Sequence, residues 1–373
     1  MDPSSGLGVL QDSGAPQGST DYTTLVMLHG YTWHAGAFVK LIPLGTRYNT
    51  RVILVNRRDY KGSRPYSEED RALLPPPKSS SYQEAPDASE IPEELMKLRT
   101  FMMERARELY AFLASLVEKE QLPLADAENN KGGIAVAGWS FATAWMTALL
   151  AYVTSELPSD AFDLSRYVRR IVFFDASYRL FGYPDPAVGA YQPLFDTTLT
   201  DEERADRFPK WLSGYFRHGD SLETLEQKTP LEDPPPTFMT ITQGELANMA
   251  DPSPGNPDGS DFMLLVAGLS WGLFGRLKEE ALYLPSRDAA QNASAWPHVE
   301  VRFVRCESSL WETQAALFEL DKEIAEAKEK GLPLRNMKIV HVPGANHFIT
   351  WDKPELAMRS LVGEEEVVVD WAK

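Results

Sequence analysis

The segment Gly138-Trp139-Ser140-Phe141-Ala142 joins two apolar runs, 133–137 and 143–150. The first run is typical of a buried strand and the second of a buried helix, so Ser140 lies where a strand is predicted to turn into a helix. A turn this tight needs small flanking residues, and it lifts the serine Oγ clear of the sheet. The alternative is a serine that only caps a helix. Groups elsewhere in the chain therefore decide whether Ser140 is a nucleophile.

Another apolar run, 24–28, ends in His29-Gly30. Acyl transfer builds negative charge on a carbonyl oxygen, and one backbone N–H directed at that oxygen contributes about 3–4 kcal/mol. The candidate donors are the N–H of Tyr31, just after His-Gly, and the N–H of Phe141, just after the serine. We interpret the ring of His29 as structural, so the backbone beside it is the functional part of this loop.

A histidine follows the last predicted strand, where the run 337–342 leads into Gly344-Ala345-Asn346-His347. Histidine exchanges a proton near neutral pH, which suits a group that takes the proton of a serine and returns it to a leaving group. A lone histidine is more often a packing or surface residue, and we interpret His218, His298 and His341 in that way. His347 differs because it comes after the serine turn and the final strand, which is the order that such catalysis uses.

Four segments, 24–30, 52–63, 138–142 and 344–347, together resemble the α/β-hydrolase superfamily in its serine-nucleophile, cap-bearing form. They follow one another in the family's order, and the resemblance covers most of the chain. It implies the α/β-hydrolase fold, an α/β architecture with a mostly parallel sheet flanked by helices and an inserted helical cap. The segment 52–63 has an architectural role in this comparison.

Two carboxylates are candidates for the acid of a Ser-His-acid triad, because the superfamily places this residue after either of two strands. Asp175 ends the predicted strand 170–175, and Glu307 ends the apolar segment 299–307. Either would orient the imidazole of His347 and stabilise its protonated form. The later position is the commoner one in the superfamily, but Asp175 ends its strand without a shift. We therefore favour Asp175 and keep Glu307 as the alternative.

The resemblance divides the chain into an N-terminal core part, 1–175, a helical cap, 176–295, and a C-terminal core part, 296–373. The cap segment is rich in aromatic residues and shows helical patterns with proline-rich breaks. Seated over Ser140, it implies a covered apolar pocket. The sequence patterns predict strands at 24–29, 52–56, 133–138, 170–175, 299–305 and 337–342, and helices at 91–122, 201–216, 262–284 and 312–330.

The charge of the chain limits its partners. With 37 Lys and Arg against 54 Asp and Glu among 373 residues, the formal net charge is −17, which argues against a nucleic-acid partner. No apolar run reaches the 18 or so residues that a membrane-spanning helix needs. We expect a small apolar ester or lactone as the partner, and the patterns leave the oligomeric state open.

The single cysteine, Cys306, excludes an intrachain disulfide and fits a reducing compartment. The first residues show neither the basic nor the apolar region of a secretory signal, so we expect a cytoplasmic location. No cluster of metal-ligand type and no cofactor motif occurs, and we expect neither a metal nor a cofactor. The segment 256–261 is superficially similar to a calcium loop but lacks its ligand spacing, and a turn is the better interpretation.

The resemblance implies a serine hydrolase, of carboxylesterase or lactonase type, that cleaves an ester or lactone of an apolar small molecule. A serine at position 140 disfavours the epoxide hydrolases and dehalogenases of the superfamily, which use a carboxylate nucleophile. Three alternatives stay open. The same residues host carbon–carbon bond hydrolysis or cofactor-free peroxidase activity in some members, and a non-catalytic small-molecule receptor has the same fold.

Overall fold

A computed structural model describes residues 6–77, 91–157, 161–285, 295–335 and 337–363. The described residues form a sheet of seven strands in the order β1-β3-β2-β4-β5-β6-β7. Within this sheet β1 is antiparallel to β3, and the other neighbouring strands run parallel. The strands are β1 (Gly8–Asp12), β2 (Thr23–Leu28), β3 (Thr50–Asn56), β4 (Ile134–Trp139), β5 (Val168–Phe174), β6 (Glu300–Cys306) and β7 (Met337–Val342).

Both faces of the sheet are covered, which explains why the central strands are mainly apolar. In β3, Ile53 and Val55 pack into one hydrophobic cluster, while Val52 and Leu54 pack into the other. Every residue of β2, β3, β4 and β5 is buried. Continuous apolar strands of this kind are typical of parallel sheets with helices on both sides. The α/β architecture expected from the sequence is therefore confirmed.

Different helices cover the two faces of the sheet. The hydrophobic cluster of the first face includes α2, α3, α7 and α8, and that of the second includes α9, α10 and the 3-10 helix Ala35–Leu44. The helices are α1 (Glu68–Ala72), α2 (Glu93–Glu120), α3 (Thr143–Ser155), α4 (Asp201–Leu212), α5 (Gln243–Ala247), α6 (Ser260–Ser270), α7 (Leu273–Leu282), α8 (Trp311–Glu329), α9 (Ile349–Asp352) and α10 (Pro354–Val362).

The chain between β5 and β6 forms a helical insertion, 176–285 in the described residues, with α4, α5, α6 and α7. The single helix predicted at 262–284 is wrong, because Trp271 ends α6 and Gly272 adopts a left-handed φ of 73° before α7 begins. The last helix, α7, packs against α2 and α3 of the core. The division of the chain at 176 and 295 stays a prediction, and residues 286–294 lie outside the described part.

None of the helices in the described ranges combines the length and the apolar character needed to cross a membrane.

Candidate active site

The predicted site residues meet at one edge of the sheet. The strands β2, β4, β5 and β7 run parallel, so the residues that follow their carboxyl ends gather at the same edge. Tyr31, Ser140, Asp175 and His347 line one cavity there. Chain topology thus brings together four residues that are far apart in the sequence.

Ser140 occupies a strained turn between β4 and α3. Its φ of 54° lies in the left-handed region, which residues other than glycine rarely adopt. A Cβ at Gly138 would come 2.5 Å from the carbonyl oxygen of Ala142 and 2.7 Å from Met146 Cγ, so residue 138 has to be glycine. Ala142 is fully buried. The close approach of the backbone at these two positions explains why residues 138 and 142, on either side of the turn, are small.

His347 is buried and hydrogen-bonded to Asp175. The distance from His347 Nδ1 to Asp175 Oδ2 is 2.6 Å, and the side chains are 2% and 0% exposed. On the other side, Trp139 Nε1–H donates to the carbonyl oxygen of His347 at 3.0 Å. With the Nδ1–H assigned to the carboxylate, the Nε2 lone pair is left as the proton acceptor. The imidazole is therefore held in the tautomer that a general base needs.

The Asp175 carboxylate is held by the end of β6. The backbone N–H of Cys306 donates to Oδ1 at 3.1 Å, and the Ser309 hydroxyl donates to Oδ2. Asp175 itself has a left-handed φ of 51°. With the bond from His347, its oxygens accept three hydrogen bonds, which satisfies a buried carboxylate.

Glu307 lies elsewhere. Its carboxylate is 3.8 Å from His341 Nδ1, and its side chain is 38% exposed. It is not among the residues that line the cavity. The structure thus brings Asp175, and not Glu307, to the imidazole of His347.

The loop after β2, which includes Tyr31, is held by hydrogen bonds from the side chain of Arg57. The guanidinium donates to the carbonyl oxygens of His29 at 3.0 Å and Gly30 at 2.9 Å. The backbone N–H of Arg57 donates to His29 Nε2, and His29 Nδ1 lies 3.0 Å from the Gly30 carbonyl oxygen. Burial lowers the pKa of His29 well below its ordinary value, and the nearby Arg57 charge lowers it further. The ring of His29 is thus neutral and bonded to backbone, in agreement with the structural role expected of it.

Arg57 also forms a buried ion pair with Asp261 in the first turn of α6. The two hydrogen bonds measure 2.7 and 2.6 Å, and the side chains are 0% and 2% exposed. Tyr60 O–H donates to the same carboxylate at 2.6 Å. Burial acts to lower the pKa of Arg57, but the attraction of Asp261 outweighs it and the net shift is upward. This pair joins the loop after β2 to the helical insertion.

Sequence reasoning gave Arg57 only an architectural role and missed Asp261. The two residues are 204 positions apart. Asp261 closes the segment 256–261, which we interpreted as a turn. A single aspartate in the first turn of a helix is a common capping or dipole feature, so no local signal marks it as a partner for Arg57.

The cavity above Ser140 has a volume of about 340 Å³ and a mainly apolar wall. Helix α6 supplies only apolar residues to it, and α4 adds further aromatic and aliphatic side chains. The residues from these two helices are Phe208, Trp211, Leu212, Phe262, Leu265, Val266 and Leu269. The described residues hold no group of three His, Cys, Asp or Glu side chains placed to bind a metal ion.

The sequence profile of the alpha/beta hydrolase family matches residues 25–359, and the chain belongs to this family. No curated protein matches the chain. Among solved structures, a variant of potato epoxide hydrolase aligns with a TM-score of 0.51 and 11% identity, over 95% of this chain and 94% of the other.

Two further solved structures align over similar lengths. Bromoperoxidase from Bacillus anthracis gives a TM-score of 0.43 at 12% identity, over 94% of this chain and 92% of the other. Cfl2 from Burkholderia cenocepacia gives 0.44 at 15% identity, over 92% and 88%. At identities this low, the likeness concerns the fold alone.

Proposed function

We propose that the protein is a serine hydrolase that cleaves esters or lactones of apolar small molecules through an acyl-serine intermediate. The observation that carries the proposal is the 2.6 Å hydrogen bond between His347 and Asp175 in the cavity that Ser140 lines. A serine on a strained turn, an imidazole proton acceptor and a buried carboxylate are the three parts that activate a serine nucleophile.

Each residue has one role in the proposed reaction. Ser140 Oγ attacks the carbonyl carbon while His347 Nε2 takes its proton. The Asp175 carboxylate holds the Nδ1–H and stabilises the imidazolium. His347 then returns the proton to the leaving oxygen, and an acyl-serine forms. A water molecule gives its proton to His347 and attacks the acyl carbon, which releases the acid and restores Ser140.

The N–H groups of Tyr31 and Phe141 hold the negative oxygen of the tetrahedral intermediate. Phe141 follows the nucleophile in the short 3-10 turn Ser140–Ala142 that precedes α3, and Tyr31 lies in the loop that Arg57 holds through the His29 and Gly30 carbonyls. Donors fixed before the reaction cost no reorganisation when charge develops. The helical insertion acts as the cap over this site, because its residues supply most of the apolar cavity wall.

Labelling with a fluorophosphonate probe tests the proposal directly. An activated serine reacts covalently, and mass spectrometry of the labelled peptide identifies Ser140. Hydrolysis of p-nitrophenyl esters and of lactones then assigns the reaction. A protein that binds these compounds without labelling or turnover is the receptor that the fold also allows, and the proposal would then be wrong.

Carbon–carbon bond hydrolysis is the second candidate, since the same three side chains serve it in related enzymes. Ester and lactone cleavage is preferred because an alcohol leaves more readily than the carbon group that carbon–carbon bond hydrolysis has to expel. Turnover of a vinylogous diketone at a rate well above that of every ester would favour the second candidate.

A further inference from the structure

The cavity above Ser140 has a polar patch in its otherwise apolar wall. The patch consists of Ser177, Arg179, Gln192, Glu312 and Thr313, all of which line the cavity. These residues come from the segment that follows Asp175 and from the first turn of α8. Helix α6 contributes only apolar side chains. Polar groups therefore concentrate on one part of the lining.

Glu312 is the centre of the patch. Its side chain is 7% exposed, and the residue lines the same cavity as Ser140. Ser177 O–H donates to Oε2 at 2.9 Å, and Gln192 Nε2–H donates to Oε1 at 3.3 Å. An ionised carboxylate has about four acceptor positions, so the two bonds leave it able to accept a further donor. Arg179 Nε lies 3.7 Å from Oε1, beyond a direct hydrogen bond.

A carboxylate buried in an apolar pocket is costly unless it is paired and hydrogen-bonded, and Glu312 has an ion pair with Arg179 and two hydrogen bonds. Glu312 is not needed to hold His347, because Asp175 already does so at 2.6 Å. Its partners in the patch are short, neutral side chains and an arginine whose Nη1 lies 3.2 Å from Asp185, outside the cavity lining. The patch thus resembles the few polar groups that fix the orientation of a ligand in an apolar site.

We infer that Glu312 is a specificity residue that accepts a hydrogen bond from a neutral donor, such as a hydroxyl group, on the acyl part of the substrate. Glu312 and Arg179 form an ion pair at 3.7 Å, so the patch carries no net charge and offers an ionised substrate group little net attraction. A substrate carboxylate meets Glu312 as a like charge, and a substrate ammonium meets Arg179 as a like charge. A hydroxyl group donates to Glu312 and accepts from Gln192 without either penalty.

This inference rests on the proposed function and narrows it. The substrate is an ester or lactone with an apolar body and one hydroxyl group distant from the scissile carbonyl. Because hydrogen bonds to charged groups are worth about 1.5–3 kcal/mol, a correctly placed hydroxyl raises kcat/KM by about 10- to 150-fold over the same substrate without it.

The test compares p-nitrophenyl esters in pairs. One member carries an acyl chain, from butanoyl to octanoyl, that ends in a hydroxyl group, and the other has a methyl group in the hydroxyl position. Burial in an apolar cavity alone favours the methyl member of every pair. We expect the hydroxyl member to be favoured at least tenfold in kcat/KM at one chain length. A methyl preference at every length overturns the inference and needs no variant.

Variants assign the preference to Glu312. Glu312→Gln keeps the shape of the side chain but loses its charge, and we expect the hydroxyl preference at the optimal length to fall by about tenfold. Glu329→Gln makes the same change at an exposed position of α8 and keeps the wild-type ratio. An unchanged ratio in Glu312→Gln, with a melting temperature equal to that of wild type, contradicts the assignment.

Binding separates the inference from the proposed function. In Ser140→Ala, the Kd of each ester is measured by tryptophan fluorescence, because Trp211 lines the cavity. A lower Kd for the hydroxyl member supports the polar patch even where turnover is absent. If the wild-type protein does not react with the fluorophosphonate probe, only the proposed function is overturned. If Kd and kcat/KM are equal for the two members of each pair, only the inference is overturned.

Discussion

Asp175 Oδ2 lies 2.6 Å from His347 Nδ1, although 172 positions separate the two residues in the chain. Asp175 reaches this place because it directly follows β5, and its carboxylate is held by the N–H of Cys306, which ends the adjacent β6, and by the Ser309 hydroxyl in the turn after β6. The segment at the end of β6 contains Glu307, the other candidate acid. This segment thus supplies hydrogen-bond donors to Asp175, the acid that contacts the imidazole of His347.

Replacing Asp175 with Asn is expected to lower kcat by up to about 10⁴-fold, because an amide favours the wrong imidazole tautomer. Glu307→Gln is the matched control, since Glu307 contacts His341 and lies outside the cavity lining. Steady-state kinetics on one p-nitrophenyl ester checks both variants. A larger loss of kcat in Glu307→Gln than in Asp175→Asn would reverse the assignment of the acid.

Replacing Ser140 with Ala is expected to abolish both turnover and fluorophosphonate labelling. The melting temperature is expected to stay close to that of wild type, since both residues adopt the φ of 54° at similar cost and the lost hydroxyl faces the cavity. Differential scanning fluorimetry and an ester assay on the same sample check the two parts. Residual turnover within tenfold of wild type contradicts the role of Ser140 as nucleophile.

Acyl chain length is expected to raise kcat/KM from acetate to medium-length esters. Each buried methylene is worth about 0.8 kcal/mol, or about fourfold in kcat/KM, until the cavity of about 340 Å³ is filled. A series of unbranched p-nitrophenyl esters gives the profile. A flat profile would mean that the acyl chain stays in solvent, and the apolar wall from α4 and α6 would then have no part in binding.

Replacing Asp261 with Asn is expected to lower the free energy of unfolding by about 3–5 kcal/mol, because it leaves the Arg57 charge buried without a counter-charge. The double variant Arg57→Met, Asp261→Leu removes both charges and is expected to regain only part of this loss, because the His29 and Gly30 carbonyls and the Tyr60 hydroxyl then lose these hydrogen-bond partners. Urea unfolding of the single and double variants measures the difference. If Asp261→Asn lowers the free energy of unfolding by less than about 1 kcal/mol, the buried ion pair contributes no more than a typical exposed ion pair.

Acid is expected to destabilise the fold through His29. Its pKa in the folded protein lies well below 6.5, chiefly because burial disfavours the charged ring. Below about pH 6.5 the unfolded chain therefore binds more protons than the native state, and the free energy of unfolding falls as pH drops toward the folded pKa. His29 alone contributes a slope of up to about 1.4 kcal/mol per pH unit.

Urea unfolding at a series of pH values between about 7.5 and 5.5 measures that slope. His34 and His218, whose pKa values burial also lowers, add to it in the wild type. His29→Gln retains a hydrogen-bond donor and an acceptor for the loop. It is expected to reduce the slope of the unfolding free energy against pH by up to about 1.4 kcal/mol per pH unit, the contribution of one proton. An unchanged slope would show that His29 is not the group that resists protonation.

The sequence is sufficient to predict the central strands, because burial on both faces makes them apolar runs bounded by polar turns. The strand β1 gives no such signal. Gly8–Asp12 pairs only at the sheet edge, and most of its residues are partly or fully exposed. Its antiparallel pairing to β3 depends on a partner more than forty positions away.

A site residue is predictable only where the sequence immediately around it indicates its role. Ser140 is marked by its small neighbours and by the change from strand to helix, and His347 by its place after the last strand. The acid is not marked in this way, because both candidates end adjacent strands. Glu312 and Asp261 are undetectable in the sequence, because their functional neighbours come from segments more than a hundred positions away.

The buried contact between Arg57 and Asp261 also limits how this protein is engineered. Exchange of the helical insertion with that of another family member would remove Asp261 and leave Arg57 charged beneath the loop that carries Tyr31. The transplanted segment would need an aspartate in the first turn of the helix that replaces α6, or Arg57 would need to be made apolar in the same step. The insertion is thus not an interchangeable module, and its transfer requires a compensating change in the recipient core.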